Sequence, residues 1–410
     1  MKILHTSDWH LGKKLEKISR LPEQELVLKE ICEIADKEDV DAVVIAGDLY
    51  DVFNPGTDAI ELFYRTLKTL SKNGNRAVIA LAGNHDSPDR IEAPDPLARE
   101  CGIIFSGYPH TEIKPFMLET GLGVTKSEKG FIEVTVPGDK VPLRVLFTPY
   151  ANEYRLRTYL GDEQREGEFR EVLQEMWSGL AKKYCDAKGI NILATHLYMV
   201  KKDGEMPEEP EDEKSILHIG GAQAVYTGNI PKEMQYVALG HLHRHIEADV
   251  KQCPVVYSGS PVAYSMSEAG QKKSVIIVDL KPGKPAKLCR VELFKGKSLE
   301  RKKFKAIDKA VKWLSENQNV LVELTVVSDT YLSAEDQRRL YDAHQGIVAI
   351  IPETASRADS SGDDGEIKLA DLSKDIEELF ADYFKYKHAQ EPSKEIMSLL
   401  REIMAAEDVV

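Results

Sequence analysis

The chain has 410 residues, more than a single hydrophobic core usually fills, so two or three domains are expected. Its hydrophobic fraction of 42% and charged fraction of 30% are ordinary for a water-soluble globular protein. The formal net charge of −14 argues against a strong, free-standing nucleic-acid binder, because phosphate contacts need Lys and Arg. A nucleic-acid substrate would therefore need bound divalent cations or a basic partner protein to offset this charge.

The cysteine pattern and the chain start both predict an intracellular protein. The five cysteines are scattered, form no close pair and offer no zinc framework, which is typical of reduced cytosolic thiols. No charged-then-apolar leader follows Met1, and no apolar run approaches the length of a membrane span. We therefore expect a cytoplasmic protein with no membrane segment.

Short apolar runs alternate with helical patterns over residues 1–280. In chain order they predict a strand at 2–6, a helix at 22–38, a strand at 41–46, a helix at 57–73 and a strand at 77–82. Further runs at 131–136, 143–149, 190–195, 235–239, 254–257 and 274–280 extend the sheet content. The alternation predicts a layered α/β fold. Residues 201–214 carry seven acids and are predicted to form a solvated surface loop.

A turn-rich break at 281–285 (KPGKP) separates a second, smaller module. Its predicted elements are a strand at 287–294, a helix at 306–316, a strand at 320–327, a helix at 334–344 and a strand at 347–351. We therefore divide the chain into a main domain over 1–280, a small α+β domain over 285–352, a flexible acidic linker over 353–370 and two C-terminal helices within 371–410.

Each of the two C-terminal helical patterns has one apolar face. These faces consist of Leu372, Ile376, Leu379, Phe380, Tyr383 and Phe384 in the first helix and Ile396, Leu399, Leu400, Ile403 and Met404 in the second. They could fold back onto their own domain. The acidic linker before them instead favours binding to the helical surface of a partner.

Polar residues cluster directly after five of the predicted strands. The segments are Asp8-Trp9-His10, Gly47-Asp48-Leu49-Tyr50-Asp51, Gly83-Asn84-His85-Asp86, Thr195-His196 and Gly240-His241-Leu242-His243. In open α/β sheets, functional sites lie at the carboxyl ends of the strands, so distant segments can converge there. Glycines within three of these segments would allow close approach of the backbone.

The residue types in these segments match a site for two transition metals. Imidazole and carboxylate together suit Mn, Fe or Zn, and two metals about 3.5–4 Å apart need a bridging group such as a carboxylate. Such a pair polarises a phosphate, generates a hydroxide and stabilises the leaving oxygen. The set therefore predicts hydrolysis of a phosphate ester.

Taken singly, each segment has an ordinary structural interpretation. A Gly-Asp pair can end a strand as a simple turn, and His196 alone would be read as a core histidine. The ordered set favours the metal centre, because five of the eleven histidines fall in these segments. The remaining histidines, His5, His110, His218, His245, His344 and His388, are interpreted as structural.

In this order the segments resemble the calcineurin-like metallophosphoesterases over residues 1 to about 280, with the patterns DxH, GDxxD, GNHD, an isolated His and GHxH intact. The resemblance implies a four-layer α/β/β/α sandwich with the site above the sheet edges. It also implies two metal sites: Asp8, His10, Asp48 and His243 for the first, and Asp48, Asn84, His196 and His241 for the second, with Asp48 bridging. By the same resemblance, His85 stabilises the transition state or protonates the leaving oxygen, and Asp51 orients His85.

Within the family, the closer resemblance is to the nuclease components of bacterial DNA-repair complexes. It is carried by MKILHTSDWHLG, VIAGDLYDVFNP, LAGNHDS, YVALGHLHR and YSGSPVAYS. It implies a Mn²⁺-dependent DNA nuclease with double-strand 3′→5′ exonuclease and single-strand endonuclease activity, using two Mn²⁺ ions or other divalent metals. It further implies a capping domain after residue 285, a coiled-coil ATPase partner, and a homodimer face around 57–73 and 88–99.

Two alternatives belong to other functional classes. Another binuclear metallophosphoesterase, acting on nucleotides or cyclic nucleotides, would share the five segments but would not need a capping module, a linker and paired tail helices. A non-catalytic scaffold would be expected to lack a ligand or His85, and all of these residues are present.

Overall fold

The computed structural model describes residues 1–151, 166–202, 204, 206, 207, 209, 224–327 and 332–353, with side chains from 169 onward in the second range, and isolated positions between 380 and 400. The described residues up to Val326 and from Leu332 to Pro352 form one compact unit, and those beyond Pro352 belong to a second. The predicted linker beyond Glu353 and most of the predicted tail helices lie outside the described residues. The tail positions that are described include helical residues at Phe380, Phe384 and Ile396.

The described elements include alternating strands and helices up to Ser106 and long runs of strands after it. The helices are α1 (Leu21–Lys37), α2 (Thr57–Leu70), α3 (Pro88–Glu92), α4 (Asp95–Arg99), α5 (Glu166–Tyr184), α6 (Ile307–Glu316) and α7 (Ala334–Ala343). The strands are β1 (Lys2–Thr6), β2 (Lys14–Leu15), β3 (Ile18–Ser19), β4 (Ala42–Ala46), β5 (Ala77–Leu81), β6 (Ile103–Ser106), β7 (Phe116–Met117), β8 (Gly123–Glu128), β9 (Phe131–Thr135), β10 (Leu143–Thr148), β11 (Ile190–Thr195), β12 (Met199–Val200), β13 (Val225–Tyr226), β14 (Tyr236–Leu239), β15 (Ile246–Asp249), β16 (Val255–Tyr257), β17 (Ser274–Asp279), β18 (Lys287–Glu292), β19 (Ser298–Phe304), β20 (Val320–Val327) and β21 (Ile347–Glu353). None of these helices combines the length and apolarity that a membrane span requires.

Three apolar cores separate four layers. A six-stranded sheet, in the order β18-β17-β1-β4-β5-β6, packs face to face on an eight-stranded sheet, in the order β15-β16-β14-β11-β10-β9-β8-β7. Because successive side chains of a strand point to opposite faces, Val43 of β4 enters the core under α1 and α2, whereas its neighbour Val44 enters the core between the sheets. Leu193 and Ile192 of β11 divide in the same way between the core under α5 and the central core. The predicted α/β/β/α sandwich is confirmed.

The carboxyl ends of the central strands meet at one edge of this sandwich. In the first sheet β1, β4 and β5 run parallel, and in the second β10, β11, β14 and β16 run parallel. The ends of β4 and β14 are close enough that a Cβ added to Gly240 would lie 1.8 Å from the carbonyl oxygen of Ala46. The segments that follow these strands therefore face each other across the two sheets.

The start of the small module differs from the prediction. The strand predicted at 287–294 is β18, which pairs antiparallel with β17 and forms the edge of the first sheet, so it belongs to the main domain rather than to a domain over 285–352. The three-stranded sheet β19-β20-β21 begins instead at Ser298, with a strand that the sequence did not predict. Its helices α6 and α7 cover a core that includes Leu314, Val322 and Leu340.

The small module packs on the loop beyond β1. Leu15 of the β2–β3 hairpin and Ala263 form one buried cluster with Leu299 and Leu321 of the small module. Burying these side chains removes apolar surface from water, which stabilises the contact. The small module is thereby placed beside the edge of the sandwich where the strands end.

Candidate metal centre

Four of the predicted ligands lie on backbone with positive φ. The φ angles are 54° at Asp8, 43° at His10, 50° at Asp48 and 106° at His241. Residues other than glycine rarely adopt such angles, and where they do the strain is held by surrounding structure, typically at functional sites. Each angle turns the chain sharply shortly after the end of a strand.

Two glycines permit the close approach of these segments. A Cβ at Gly83 would lie 2.0 Å from Oδ1 of Asp48, and one at Gly47 would lie 2.2 Å from Nδ1 of His196. Any side chain at either position would displace a predicted ligand. Glycine at these two positions therefore allows the close approach that the sequence predicts.

Asp8, His10 and His243 form the first cluster, with possible ligand atoms all within 4.8 Å of one another. The Nε2 atoms of His10 and His243 are 3.0 Å apart, an arrangement that suits a shared cation. Asp8 is held in place through both oxygens: Oδ1 accepts from the backbone N–H of His241 at 2.8 Å, and Oδ2 accepts from Ser7 Oγ at 2.5 Å.

Asp48, His196 and His241 form the second cluster, within the same distance limit. His196 Nδ1 donates to the carbonyl oxygen of Ala46 at 2.8 Å, which directs Nε2 towards the cluster. Two oxygens converge on that Nε2, Asn84 Oδ1 at 2.9 Å and Asp48 Oδ2 at 3.2 Å. Burial alone would lower the pKa of His196, but the carboxylate of Asp48 raises it to about 9.

Asp48 lies between the two clusters. Its Oδ2 is 3.2 Å from His196 Nε2 and 3.6 Å from His10 Nε2, while its Oδ1 accepts from the backbone N–H of His85 at 2.9 Å. Burial opposes ionisation, yet the surrounding imidazoles, His196 foremost, hold the pKa of Asp48 well below its usual range. The side chain is thus a buried carboxylate shared by both clusters.

His85 lies beside the clusters, with its ring edge-to-face against His10 at a centroid distance of 4.9 Å. Its Nδ1 donates to the main-chain carbonyl of Asp51 at 2.6 Å, and the carboxylate of Asp51 lies within 4.8 Å of a nitrogen of the same ring. The Asp51 carboxylate lies 3.4 Å from Lys13 Nζ and 3.9 Å from His10 Nδ1. The backbone of Asp51 therefore helps to orient His85, and the predicted role of its side chain stays a prediction.

Asp86 contributes a support that sequence reasoning did not assign. Its buried carboxylate accepts from the backbone N–H groups of Gly83, Leu49 and Tyr50 at 2.8–3.0 Å. It therefore ties the segment after β4 to the segment after β5. Burial, reinforced by the nearby charge of Asp48, raises the pKa of Asp86 to about 6. The sequence feature that could have indicated this role is the position of Asp86 in the GNHD pattern.

A second unassigned support lies behind His243. Nδ1 of His243 is 3.8 Å from the buried carboxylate of Glu268, which also accepts from the backbone N–H of Tyr264 at 2.8 Å and pairs with Lys273. Lys273 Nζ in turn donates to the carbonyl oxygen of His243 at 2.9 Å. These residues lie in no strand-end segment, so their role could not be read from the motifs.

The donor set fits divalent metals. Imidazole nitrogens and carboxylate oxygens are ligands for transition metals, and a buried group of them needs a cation or protons to offset the converging acceptor atoms. His241 Nδ1 is buried and makes no hydrogen bond to any described residue. The structure thus brings all seven predicted ligands and His85 to one place.

A cleft of about 840 Å³ opens beside His85 and Asp51. Its lining includes Lys13 and Lys14 from the main domain and Arg301 from the small module. Arg301 Nε is 2.9 Å from the carboxylate of Glu323. The lining also holds Glu16, Asp51 and Glu323, so its three basic and three acidic side chains balance in number.

Comparison with known proteins gives matches along the chain. Residues 1–245 match the family described as calcineurin-like phosphoesterase. A relative from Bacillus subtilis, the D component of the nuclease SbcCD, is 36% identical over 412 aligned residues, which cover 98% of this chain and 97% of the relative. The protein of the same name from Rhodobacter capsulatus is 33% identical over 69% of this chain and 67% of its own length. Among solved structures, a dimetal phosphatase from Danio rerio matches 71% of this chain and 99% of its own, with 11% identity and a TM-score of 0.38.

Proposed function

Since the chain belongs to the calcineurin-like phosphoesterase family, and within it to the D components of SbcCD nucleases, we propose that it cleaves DNA with two Mn²⁺ ions held at the strand ends. At the coarser level it is a phosphodiester hydrolase of the SbcCD nuclease type with a divalent metal pair. The finer proposal is double-strand 3′→5′ exonuclease and single-strand endonuclease activity in DNA end processing, hairpin cleavage and repair. The observation that supports it most is the convergence of two ligand clusters on Asp48.

The proposed ligands divide between the metals as the family pattern implies. Asp8, His10, Asp48 and His243 would hold the first ion, and Asp48, Asn84, His196 and His241 the second. When bound, such a pair supplies Lewis-acid polarisation of the phosphodiester and activation of a water molecule. The hydrogen bonds to Asp8, His196 and Asp48 hold these ligands in place before the ions bind, which limits the reorganisation needed at the site.

His85 is proposed to act on the substrate rather than on a metal. Its Nδ1 donates to the carbonyl of Asp51, so we assign proton transfer to the leaving oxygen, or stabilisation of its developing charge, to Nε2. The imidazole also lines the 840 Å³ cleft, where a substrate could reach it.

The cleft is the proposed path of the DNA backbone. Lys13, Lys14 and Arg301 are among its lining residues, and phosphate contacts from such residues would provide affinity without reading sequence. Because the acids of the lining equal the bases in number, bound metal ions or the partner would have to offset the net charge of −14. The small α+β module would act as a cap that closes one side of the path.

The partner and assembly are proposed from the relatives. The name of the Bacillus subtilis protein places it in the SbcCD complex, so we propose that this chain works in the cytoplasm with an SbcC-type coiled-coil ATPase. Residues 371–410 would bind the base of the coiled coil through their apolar faces. A homodimer face is proposed around α2–α4, where Phe53 and Leu97 expose 56% and 75% of their surface.

The purified chain should be tested with Mn²⁺ on three substrates: end-labelled linear duplex DNA, single-stranded DNA and a cyclic nucleotide. The proposal predicts shortening of the duplex from its 3′ ends and internal cuts in the single strand, both abolished by chelation. Efficient hydrolysis of the cyclic nucleotide without DNA cleavage would instead support the alternative function, a phosphodiesterase that acts on small molecules. His85→Ala is the matched control for a contaminating nuclease.

A further inference from the structure

An acidic side chain from the segment predicted to be a solvated loop lies at the metal centre. Oε1 of Glu209 is 2.6 Å from Nε2 of His241, and the Glu209 side chain is only 12% exposed. A carboxylate can only accept at this distance, so Nε2 carries the proton and donates it. One of the acids in this segment is therefore turned inward to a predicted ligand.

The two nitrogens of His241 have opposite surroundings. Nε2 is engaged by Glu209, whereas Nδ1 is buried and makes no hydrogen bond within the described chain. With the proton fixed on Nε2, the lone pair resides on Nδ1, which is then the nitrogen available to a metal. Metal-binding histidines in proteins usually donate their other N–H to a carboxylate or a carbonyl, which fixes the ring and raises its basicity.

Two other histidines of the centre, His196 and His243, have partners that lie outside the acidic segment. His196 Nδ1 donates to the carbonyl of Ala46, and His243 Nδ1 faces the carboxylate of Glu268. Only the partner of His241 comes from the acidic segment, among the described residues. The ring of His241 is thus supported by the same kind of contact, but its partner comes from a different part of the chain.

The segment is anchored close to the centre on the N-terminal side of the contact. Tyr198, which is fully buried, donates its hydroxyl to the carbonyl oxygen of Pro207, and its ring lies edge-to-face to His241 at 6.3 Å. Further back, β12 is fixed by Tyr257, whose hydroxyl bonds the backbone N–H of Met199 at 2.7 Å. Glu209 is only two residues from Pro207, so the anchored backbone holds its side chain near His241.

We propose that Glu209 is a positioning residue of the second metal site, which holds the His241 imidazole with Nδ1 directed to the metal and so couples the acidic segment to metal affinity. The inference rests on the proposed assignment of His241 to that site. Removing a supporting hydrogen bond of this kind typically costs about 10- to 100-fold in metal affinity. The loss should fall on one of the two ions and leave the other unchanged.

The test is a calorimetric titration of the metal-free full chain with Mn²⁺ alone, which resolves two binding constants. Glu209→Ala should weaken the binding constant of the ion at the second metal site about 10- to 100-fold and leave that of the first site unchanged. Glu209→Gln, which keeps an oxygen acceptor but loses the charge, should give a smaller loss in the same constant. Glu119→Gln, an exposed acid in the turn between β7 and β8, controls for the change in net charge and should bind both ions normally.

Two results would overturn the proposal. Unchanged binding in Glu209→Ala would show that the contact does not support the metal, and tighter binding would show that the carboxylate competes with it. His241→Ala separates this failure from failure of the proposed ligand set, because it should lose the second ion whatever Glu209 does. If His241→Ala still binds two ions normally, the ligand assignment itself is wrong. Circular dichroism of each variant without metal confirms that it is folded.

Discussion

Asp48 and His85 occupy neighbouring positions with different predicted roles. Asp48 presents one oxygen to imidazoles of both clusters, whereas His85 presents its backbone N–H to Asp48 and its ring to the cleft. The first contact fits the proposed role of a shared ligand, and the second fits the proposed role of a group that acts on the substrate. Substitutions at the two positions should therefore separate metal binding from proton transfer.

Replacing Asp48 by alanine should abolish activity and reduce metal content below two Mn²⁺ per chain. The change removes the carboxylate that faces His10 and His196 and leaves two bound cations unscreened. Elemental analysis of the purified variant measures the effect. Asp58→Ala, an exposed aspartate at the start of α2, is the matched control and should keep both ions. Full loading of Asp48→Ala would exclude a bridging role.

Replacing His85 by alanine should leave metal content near that of the wild type and lower the cleavage rate roughly 10²- to 10⁴-fold, the range usual for a positioned acid or base. Asp51→Asn should have a milder effect, because the carbonyl that orients His85 remains. The metal content and the single-turnover cleavage rate are measured on the same preparation of each variant. Loss of metal together with activity would make His85 a ligand.

The segments after β4 and β5 act as one element because Asp86 joins them. Three backbone N–H groups, from Gly83, Leu49 and Tyr50, depend on this one carboxylate. Both segments carry predicted ligands, so the fold of this edge and the geometry of the site share the same hydrogen bonds. Stability and metal affinity should therefore change together at this position.

Asp86→Asn is nearly isosteric but cannot accept from all three donors. Leaving a buried N–H unsatisfied costs about 1–3 kcal/mol, so the variant should unfold at a lower temperature even without metal. It should also bind Mn²⁺ more weakly. Glu61→Gln, on the exposed face of α2, should change neither property. If metal-free Asp86→Asn melts at the same temperature as the wild type, the hydrogen bonds to Asp86 do not stabilise the fold.

Much of the fold and of the site was predictable because local patterns coincide with the final contacts. The buried strands β1, β4 and β5 are short apolar runs, and each runs into a motif whose residues converge at the sheet edge. β19 was missed because its sequence, SLERKKF, is mostly charged, and Leu299 is its one buried residue. β18 was assigned to the wrong module, because a turn-rich break precedes it and pairing with β17 cannot be read from composition.

The supports of the site were not predictable for a similar reason. Glu268 reaches His243 from 25 residues away, and Glu209 reaches His241 from an acidic run that composition alone assigns to solvent. Such contacts depend on how distant segments pack together, and the hydrophobic periodicity of a sequence does not show this. The predicted ligand roles themselves followed from the motifs and stay predictions until metal is measured.

Deleting residues 371–410 should separate catalysis from assembly. The truncated chain keeps every residue of the metal centre, so it should still cleave short single strands with Mn²⁺. It should no longer co-purify with the coiled-coil ATPase, because the two apolar helical faces would be gone. Full-length His85→Ala is the complementary control, since it should co-purify but not cleave. Co-purification of the truncated chain at full stoichiometry would assign those faces to the protein's own fold.

The two-metal centre at the strand ends is most directly tested by anomalous X-ray diffraction from crystals grown with Mn²⁺. The anomalous difference map at the manganese edge should show two peaks, one beside Asp8, His10 and His243 and one beside Asn84, His196 and His241. The carboxylate of Asp48 should lie between them. A single peak, or two peaks that do not share Asp48, would contradict the account.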